Sequence, residues 1–287
     1  MTLLFLSDLH LDVWASHNRD PLAALPVEVW AELDALFVVG DLTNKPRVRW
    51  RLALARLAEH VPPGRIHILP GNHDYYDFRL DGDDRLAEIA AAAGVSLIQK
   101  REVILGGCRF LCCTLWTDFG LLEAEGRSKD EAMARARERM NDYRYIRIAG
   151  DRYRKAEPTD TARLHADHLG WIEERLADPF AGDTIVVTHH APHPGCLKPG
   201  PPLLGAAYAS DLSRLMEAHA PAAWIYGHTH HPADLTIHGT RIRNVSLGYP
   251  YDVEDSEIAP LLRQGLTEAR EGQFRFLEGI AAAGGRK

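Results

Sequence analysis

Five short apolar runs lead directly into side chains that can bind a metal ion, and this repeated arrangement limits the fold more than any other feature. Each run has four or five residues, which is the length of a buried strand rather than of a helix. The runs and the residues that follow them are 3–6 before Asp8 and His10, 35–39 before Asp41, 66–69 before Asn72, His73 and Asp74, 184–188 before His189, and 222–226 before His228 and His230. Ligands bind at the carboxyl ends of strands in α/β sheets. We therefore predict that the five strand ends converge on one site.

Helical patterns alternate with these runs, which indicates a layered α/β architecture. A sixth apolar run covers residues 109–115, and helices are predicted at 48–59, 84–93, 160–177 and 209–218. The chain of 287 residues fits one large domain. We predict a single domain over residues 1–287, with a disordered tail at 281–287.

The composition is that of an ordinary globular protein, with 46% hydrophobic and 25% charged residues. A net charge of −7 gives no basic field that would favour a nucleic-acid partner. No apolar stretch approaches the ~20 residues of a membrane span, and no signal peptide is recognised. We expect a cytoplasmic protein that does not contact a membrane, and no protein partner is inferred. Its four cysteines are predicted to be buried thiols.

The segment at about 118–155 is polar and interrupts the strand–helix alternation. Its part from 127 to 155 contains ten Arg or Lys against five Asp or Glu. We predict a helical, basic insertion over one face. It is either a solvated excursion or a basic lid that helps to hold an anionic substrate.

The donors after the strands comprise two carboxylates, four imidazoles and one amide, without a thiolate. One ion rarely takes seven protein ligands, whereas two ions that share Asp41 account for all of them. Mixed nitrogen and oxygen donors suit first-row transition metals such as Mn, Fe or Zn and are poor for Ca or Mg. The predicted ligands are Asp8, His10, Asp41, Asn72, His189, His228 and His230.

Two such ions about 3.5–4 Å apart form a clamp for in-line displacement at phosphorus. A water that bridges them is acidified, so hydroxide is available for the attack near neutral pH. His73 lies beside Asn72 in the sequence and is the predicted proton source for the leaving group. Asp74 is predicted to orient His73 or a neighbouring imidazole.

The five motifs together, over roughly residues 2–246, resemble the calcineurin-like metallophosphoesterases. The resemblance implies a four-layer α/β/β/α sandwich, in which two mixed β-sheets are flanked by helices. It also implies that His73 assists the leaving group. The implied ligands are Asp8, His10, Asp41 and His230 for one ion, and Asp41, Asn72, His189 and His228 for the other.

The sequence departs from the protein phosphatases of this family directly after Gly40-Asp41. Those enzymes continue with Asp-Arg-Gly, whereas this chain continues with Leu42, Thr43, Asn44 and Lys45. The departure weakens the Ser/Thr protein phosphatase hypothesis and favours the bacterial phosphodiesterase-like branch. We expect a phosphodiesterase or phosphatase for a small or nucleotide-like substrate. A protein phosphatase, a nuclease and a non-catalytic metal-binding scaffold of the same fold remain alternatives.

Two further stretches, 115–119 and 140–144, resemble segments of uncharacterised bacterial members of the family. Tyr75 and Tyr76, directly after the motif that contains Asn72, either stack on a base or an aryl leaving group or pack the wall of the site as structural aromatics. The predicted substrate contacts are Tyr75, Trp116, Asp118, Tyr143 and Arg144.

Overall fold

The computed structural model describes residues 1–198 and 203–277, so the predicted disorder at 281–287 lies outside the described residues. The strands are β1 Thr2–Leu6, β2 Ala35–Val39, β3 Ile66–Leu69, β4 Ser96–Leu97, β5 Arg101–Leu105, β6 Cys108–Cys113, β7 Arg147–Ile148, β8 Arg154–Lys155, β9 Thr184–Thr188, β10 Ala223–Tyr226, β11 Asp234–Ile237, β12 Thr240–Asn244, β13 Leu266–Arg270 and β14 Gln273–Phe276. The helices are α1 Leu11–Ser16, α2 Val27–Ala31, α3 Pro46–Ala58, α4 Asp83–Ala92, α5 Lys129–Arg139, α6 Asp142–Tyr145, α7 Pro158–Ala177, α8 Ser213–His219 and α9 Asp255–Arg263.

Two six-stranded mixed sheets form the centre of the described structure. The first has the order β14-β13-β1-β2-β3-β4, and the second has the order β11-β12-β10-β9-β6-β5. Strands β1 to β4 are parallel, whereas β13 is antiparallel to β1. In the second sheet β6, β9, β10 and β12 are parallel, with antiparallel edge strands β5 and β11. The parallel strands therefore end at one edge of each sheet.

The sheets pack face to face through a buried apolar layer that includes Phe5, Phe37 and Phe110. Helices α3, α4 and α9 cover the outer face of the first sheet, with Trp50 and Leu54 among the contacts. Helices α7 and α8 cover the outer face of the second. The arrangement confirms the predicted α/β/β/α sandwich of two mixed sheets flanked by helices.

All six predicted strands are present, and β1, β2, β3 and β9 end where the apolar runs end. Helix α8 begins at Ser213, whereas the sequence predicted a start at 209; residues 209–210 instead extend along residue 191 through a parallel bridge. The sequence did not predict β4, β5 or β11 to β14. Strands β4, β5, β11 and β14 are short or half-exposed, so their apolar signal is weak. Strands β12 and β13 are mostly buried, but polar residues occupy several of their buried positions.

The segment at 118–155 contains α5 and α6 and ends in the hairpin β7–β8. Ser128 and Glu131 form a capping box at the start of α5. Many of its cations are ion-paired, which reduces the basic field expected of a lid. The pairs are Arg127–Glu131, Lys129–Asp118, Arg135–Glu138, Arg137–Glu157 and Arg154–Asp160.

The four cysteines are buried free thiols, as predicted. No helix of the described residues is long and apolar enough to cross a membrane.

His168 on α7 supports the chain just after β6, because its Nδ1 accepts a hydrogen bond from the backbone N–H of Leu115 at 3.2 Å. Burial lowers the pKa of His168 to about 4. The unfolded chain takes up this proton near pH 6.5, before the folded protein does. The stability contribution is therefore complete above about pH 6.5 and is lost as the pH falls towards about 4.

We expect His168→Asn, whose amide oxygen can keep the Leu115 contact, to flatten the acid dependence of stability. Between pH 6.5 and 4, the slope should fall by about 1.4 kcal/mol per pH unit relative to the original protein. Denaturant unfolding of the metal-free protein at several pH values measures this, with the exposed His17→Asn as control. Equal slopes for His168→Asn and the original protein would show that His168 does not carry this sensitivity.

Candidate metal centre

The predicted donors lie together at the carboxyl ends of the parallel strands. Strands β1, β2 and β3 of the first sheet precede Asp8, Asp41 and Asn72, and strands β9 and β10 of the second sheet precede His189 and His228. Three groups have ligand atoms within 4.8 Å of one another: Asp8, His10 and His230; His10, Asp41 and His73; and Asp41, His189 and His228. The two sheets therefore share one cluster.

One half of the cluster is formed by Asp8, His10 and His230. His230 Nε2 lies 3.0 Å from Asp8 Oδ1 and 3.3 Å from His10 Nε2. The other oxygen of Asp8 accepts hydrogen bonds from the Ser246 hydroxyl at 2.7 Å and from the backbone N–H of His228 at 2.9 Å. These bonds fix the Asp8 carboxylate with Oδ1 directed at the two imidazoles.

The other half contains His189, Asn72 and His228. His189 Nε2 lies 3.1 Å from Asn72 Oδ1 and 3.5 Å from Asp41 Oδ1. His189 Nδ1 lies 3.0 Å from the Val39 carbonyl oxygen, which accepts its N–H and leaves a lone pair on Nε2.

Asp41 lies between the halves, with one oxygen towards each. Oδ1 is 3.5 Å from His189 Nε2, and Oδ2 is 3.7 Å from His10 Nε2. This is the geometry expected of a carboxylate that two ions could share.

The chemistry of the donors fits two transition-metal ions. Burial lowers the pKa of His10 and of His228, so both rings are neutral and keep a lone pair. His228 Nε2 is a buried nitrogen without a hydrogen-bond partner. Buried polar atoms of this kind are uncommon unless a ligand or a water satisfies them.

At the cluster, the backbone adopts a left-handed conformation that residues other than glycine rarely adopt. Five of the predicted ligands have positive φ angles: Asp8 at 53°, His10 at 39°, Asp41 at 57°, His228 at 65° and His230 at 44°. Each residue in this conformation lowers the stability of the folded protein by about 1 kcal/mol or more, and such residues are concentrated at functional sites.

Glycine is required at two of these turns because the chains approach closely. Gly40 has a φ of 90°, and a Cβ there would collide with His189 and with the backbone of Gly71. A Cβ at Gly71 would collide with Asp41. The loops after β2 and β3 therefore lie in direct contact.

Asp74 joins these loops and does not orient an imidazole, which corrects the sequence-based expectation. Its carboxylate accepts backbone N–H groups of Asp41 at 2.8 Å, Thr43 at 3.2 Å and Gly71 at 2.9 Å. It also accepts the indole N–H of Trp50 at 2.8 Å. The physical reason is that the Asp74 carboxylate is occupied by N–H groups of its own loop and of the loop that contains Asp41. It is a positioning residue for Asp41.

His73 lies at the rim and is held by residues outside the predicted set. Its Nδ1 is 2.9 Å from Asn44 Oδ1, and its Nε2 is 3.3 Å from the hydroxyl of Tyr249. The ring stacks on Tyr76 at 4.2 Å. Burial lowers the pKa of His73 to about 3. Asn44, and not Asp74, is therefore the partner that orients this ring.

Two of the predicted substrate contacts are enclosed in the protein, which corrects the expectation for them. Tyr75 is 1% exposed and its hydroxyl donates to Asp83 at 2.5 Å. Tyr143 is 6% exposed and its hydroxyl lies 3.0 Å from Thr161 Oγ1. Neither has a free polar atom or an open ring face for a substrate.

The remaining three candidates also make contacts within the protein. Trp116 is buried against Tyr75 and His190, and Asp118 accepts from Ser210 at 2.9 Å. Arg144 is exposed and donates to the carbonyl oxygen of Glu138 at 2.9 Å. The structure does not bring them into the donor cluster, and substrate contact by these three stays a prediction.

Several residues that touch the predicted ligands were not among the predicted site residues. Tyr208 and Tyr249 belong to no motif, whereas Asp142 lies in the stretch 140–144, in which only Tyr143 and Arg144 are predicted contacts. Tyr249 stacks on His10 with ring centroids 4.3 Å apart, and Tyr208 stacks on His228 at 4.8 Å. Asp142 accepts from Asn72 Nδ2 at 2.8 Å. Asn44 could have been suspected, since it stands where the protein phosphatases continue their motif.

Comparisons with known proteins agree with this geometry. A family model described as calcineurin-like phosphoesterase matches residues 1–232. The chain is 24% identical to an uncharacterized protein of Acanthamoeba polyphaga mimivirus, over 87% of this chain and 92% of that protein. The crystal structure of phosphopantetheinyl hydrolase from Mycobacterium tuberculosis matches with a TM-score of 0.68 at 22% identity, over 88% of this chain and 90% of that chain. The structural likeness supports the common fold.

We expect Asp74→Asn to lower the free energy of unfolding of the metal-free protein by about 2–3 kcal/mol. The introduced amide N–H₂ would face backbone N–H groups that now donate to the carboxylate. Burial raises the pKa of Asp74 to about 6, so the carboxylate is ionised above that pH. Urea unfolding at pH 8 measures the effect. The exposed Asp84→Asn is the control, and equal small losses in both variants would contradict the linking role of Asp74.

Proposed function

Since the chain belongs to the calcineurin-like phosphoesterases, matched over residues 1–232, we propose that it hydrolyses small or nucleotide-like phosphoesters at a dinuclear metal centre. Membership in the family makes the chain a metal-dependent, phosphoester-hydrolysing enzyme. The single observation that carries the finer proposal is Asp41, which directs one oxygen to each half of a closed donor cluster.

The ligand assignment is part of this proposal. We assign Asp8, His10, Asp41 and His230 to one ion and Asp41, Asn72, His189 and His228 to the other, and the donor groups within 4.8 Å support the division. Mn, Fe and Zn suit these nitrogen and oxygen donors. When bound, such ions acidify a water for attack and neutralise charge on the phosphoryl oxygens.

His73 is proposed to protonate the leaving oxygen. Its Nδ1–H donates to Asn44 Oδ1, so the proton for the leaving group is carried at Nε2. Burial holds the pKa of the free ring at about 3. A phosphoester anion beside the ring raises that pKa, so protonation of Nε2 is coupled to substrate binding. The Tyr249 hydroxyl, 3.3 Å from Nε2, keeps the ring turned towards the site.

The residues after Asp41 favour a small substrate over a phosphoprotein. Asn44 is engaged with His73, and the half-exposed Lys45 lies 3.5 Å from Asp77. Neither side chain can bind a phosphate through two parallel hydrogen bonds from one cation, as an arginine guanidinium does. A phosphodiester, which carries one charge fewer than a monoester, has less need of such a grip. We therefore favour phosphodiesters over phosphoproteins.

We expect the protein loaded with Mn²⁺ to hydrolyse bis(p-nitrophenyl) phosphate and p-nitrophenyl phosphate, with the higher kcat/KM for the diester. Asp41→Asn should abolish metal-dependent turnover and reduce the bound metal. The neutral amide of asparagine lacks the negative charge with which the Asp41 carboxylate would bind both ions. Product absorbance and elemental analysis of the same preparation measure both effects. Asp77→Asn at the rim serves as the control. Metal-dependent turnover that persists in Asp41→Asn would contradict the proposal.

We expect His73→Ala to lower kcat at least about 100-fold on a phosphodiester with an alkoxide leaving group. The loss should be much smaller with p-nitrophenolate, which leaves without a proton. Metal content should stay that of the original protein, since His73 is outside the proposed ligand set. Equal losses for both leaving groups would show that His73 does something other than protonate the leaving oxygen.

A further inference from the structure

The segment at 118–155 reaches into the donor cluster through one buried carboxylate. Asp142, on α6, is 3% exposed. Its Oδ1 accepts a hydrogen bond from Asn72 Nδ2 at 2.8 Å and another from the Tyr76 hydroxyl at 2.6 Å. A buried carboxylate held by two side-chain donors is a specific contact rather than a solvated surface feature.

This contact determines which end of the Asn72 amide faces the cluster. The two ends of an amide have nearly the same shape, but one accepts and the other donates. Asp142 Oδ1 is the acceptor in both of its hydrogen bonds, so it holds the N–H₂ end of the Asn72 amide. The Oδ1 end is left on the opposite side, 3.1 Å from His189 Nε2. With the amide reversed, an N–H₂ group would face the metal site and could not ligate.

Helix α6 is fixed against the loop that follows Asn72. The backbone N–H of Asp77 donates to the Tyr145 carbonyl oxygen at 3.2 Å, and that of Leu80 donates to the Arg147 carbonyl oxygen at 2.7 Å. In return, the N–H of Arg147 donates to the Phe78 carbonyl oxygen at 3.1 Å. The distance between Asp142 and Asn72 is thus set by backbone bonds on both sides.

We propose that Asp142 is a positioning residue that fixes the orientation of the Asn72 amide, and that the segment at 118–155 thereby sets the metal affinity of the His189 half of the centre. The inference rests on the proposed function to the extent that Asn72 is a metal ligand. It assigns the segment a role inside the site that differs from that of a basic lid. Asp142 acts through Asn72 and does not itself touch a metal ion or the substrate.

The experiment is a titration of the metal-free, full-length protein with Co²⁺, followed by visible absorption and by calorimetry. In Asp142→Leu the leucine side chain has a volume similar to that of aspartate but no hydrogen-bond acceptor. We expect this variant to weaken one of the two Co²⁺-binding steps by about 10- to 100-fold. The other step should remain unchanged. Asp142→Asn keeps an oxygen that can accept from Asn72 Nδ2 and should restore most of the affinity. The intensity and position of the Co²⁺ bands report the ligand set independently of turnover.

Two matched variants separate positioning from support of the fold. Tyr76→Phe removes the second donor to Asp142 and a long contact of 3.4 Å from Asn72 Nδ2 to the hydroxyl, but it keeps the shorter bond between Asn72 and Asp142. Tyr143→Phe removes a hydrogen bond from the next residue of the same helix, to Thr161. Both should bind Co²⁺ as the original protein does. If Asp142→Leu does not fold, as judged by circular dichroism, Asp142→Ala replaces it, because water can fill the smaller side chain's space.

Asn72→Ala distinguishes failure of this inference from failure of the proposed function. If Asn72→Ala weakens one Co²⁺ step and Asp142→Leu does not, Asp142 has no positioning role and the ligand assignment stands. If Asn72→Ala binds Co²⁺ like the original protein, the ligand assignment fails and this inference fails with it. A loss in Tyr143→Phe equal to that in Asp142→Leu would also overturn the inference, since it would trace the effect to α6 as a whole.

Discussion

Face-to-face packing of the two sheets is the constraint on which the metal centre depends, because neither sheet carries a complete set of donors. The first sheet presents Asp8, His10, Asp41 and Asn72, and the second presents His189, His228 and His230. Phe5 and Phe37 stack at 4.5 Å, and Phe110 lies 5.8 Å from Phe5. Since sheets pack about 10 Å apart, this apolar layer sets the separation of the donors. The hydrophobic interface between the sheets therefore also fixes the spacing of the donors in the polar site.

The second constraint is the buried polar frame behind the donors. Asp74, Ser246 and Asp142 hold Asp41, Asp8 and Asn72 through hydrogen bonds of 2.7–2.8 Å. Unpaired, such groups would be costly to bury, but paired they restrict the side chains they touch. The hydrogen bonds of this frame also help to offset the conformational strain of the turns, where five donors have positive φ angles. The frame therefore holds Asp8, Asp41 and Asn72 close to one another.

Much of the fold and the donor set could be predicted because their signals are local. Each strand end and its donors lie within a few residues, so the pattern at Asp8 or at Asn72 is visible without knowledge of the rest of the chain. The contacts of Asp74 and Asp142 are different. Asp142 lies 70 residues from Asn72 in the sequence, and no periodicity relates the two. Strands β5 and β11 were missed because their exposed faces break the apolar pattern.

The place of β1 in the first sheet has a kinetic consequence. β1 precedes Asp8 and His10 and pairs with β2 on one side, but on its other side it pairs with β13, where Thr267 bonds to Leu3 across 264 residues. Contacts of such high sequence separation form late, because loop closure must come first. During synthesis, one edge of β1 therefore stays unsatisfied until β13 has emerged from the ribosome. In that interval the open edge of β1 is a place where neighbouring chains can pair and aggregate.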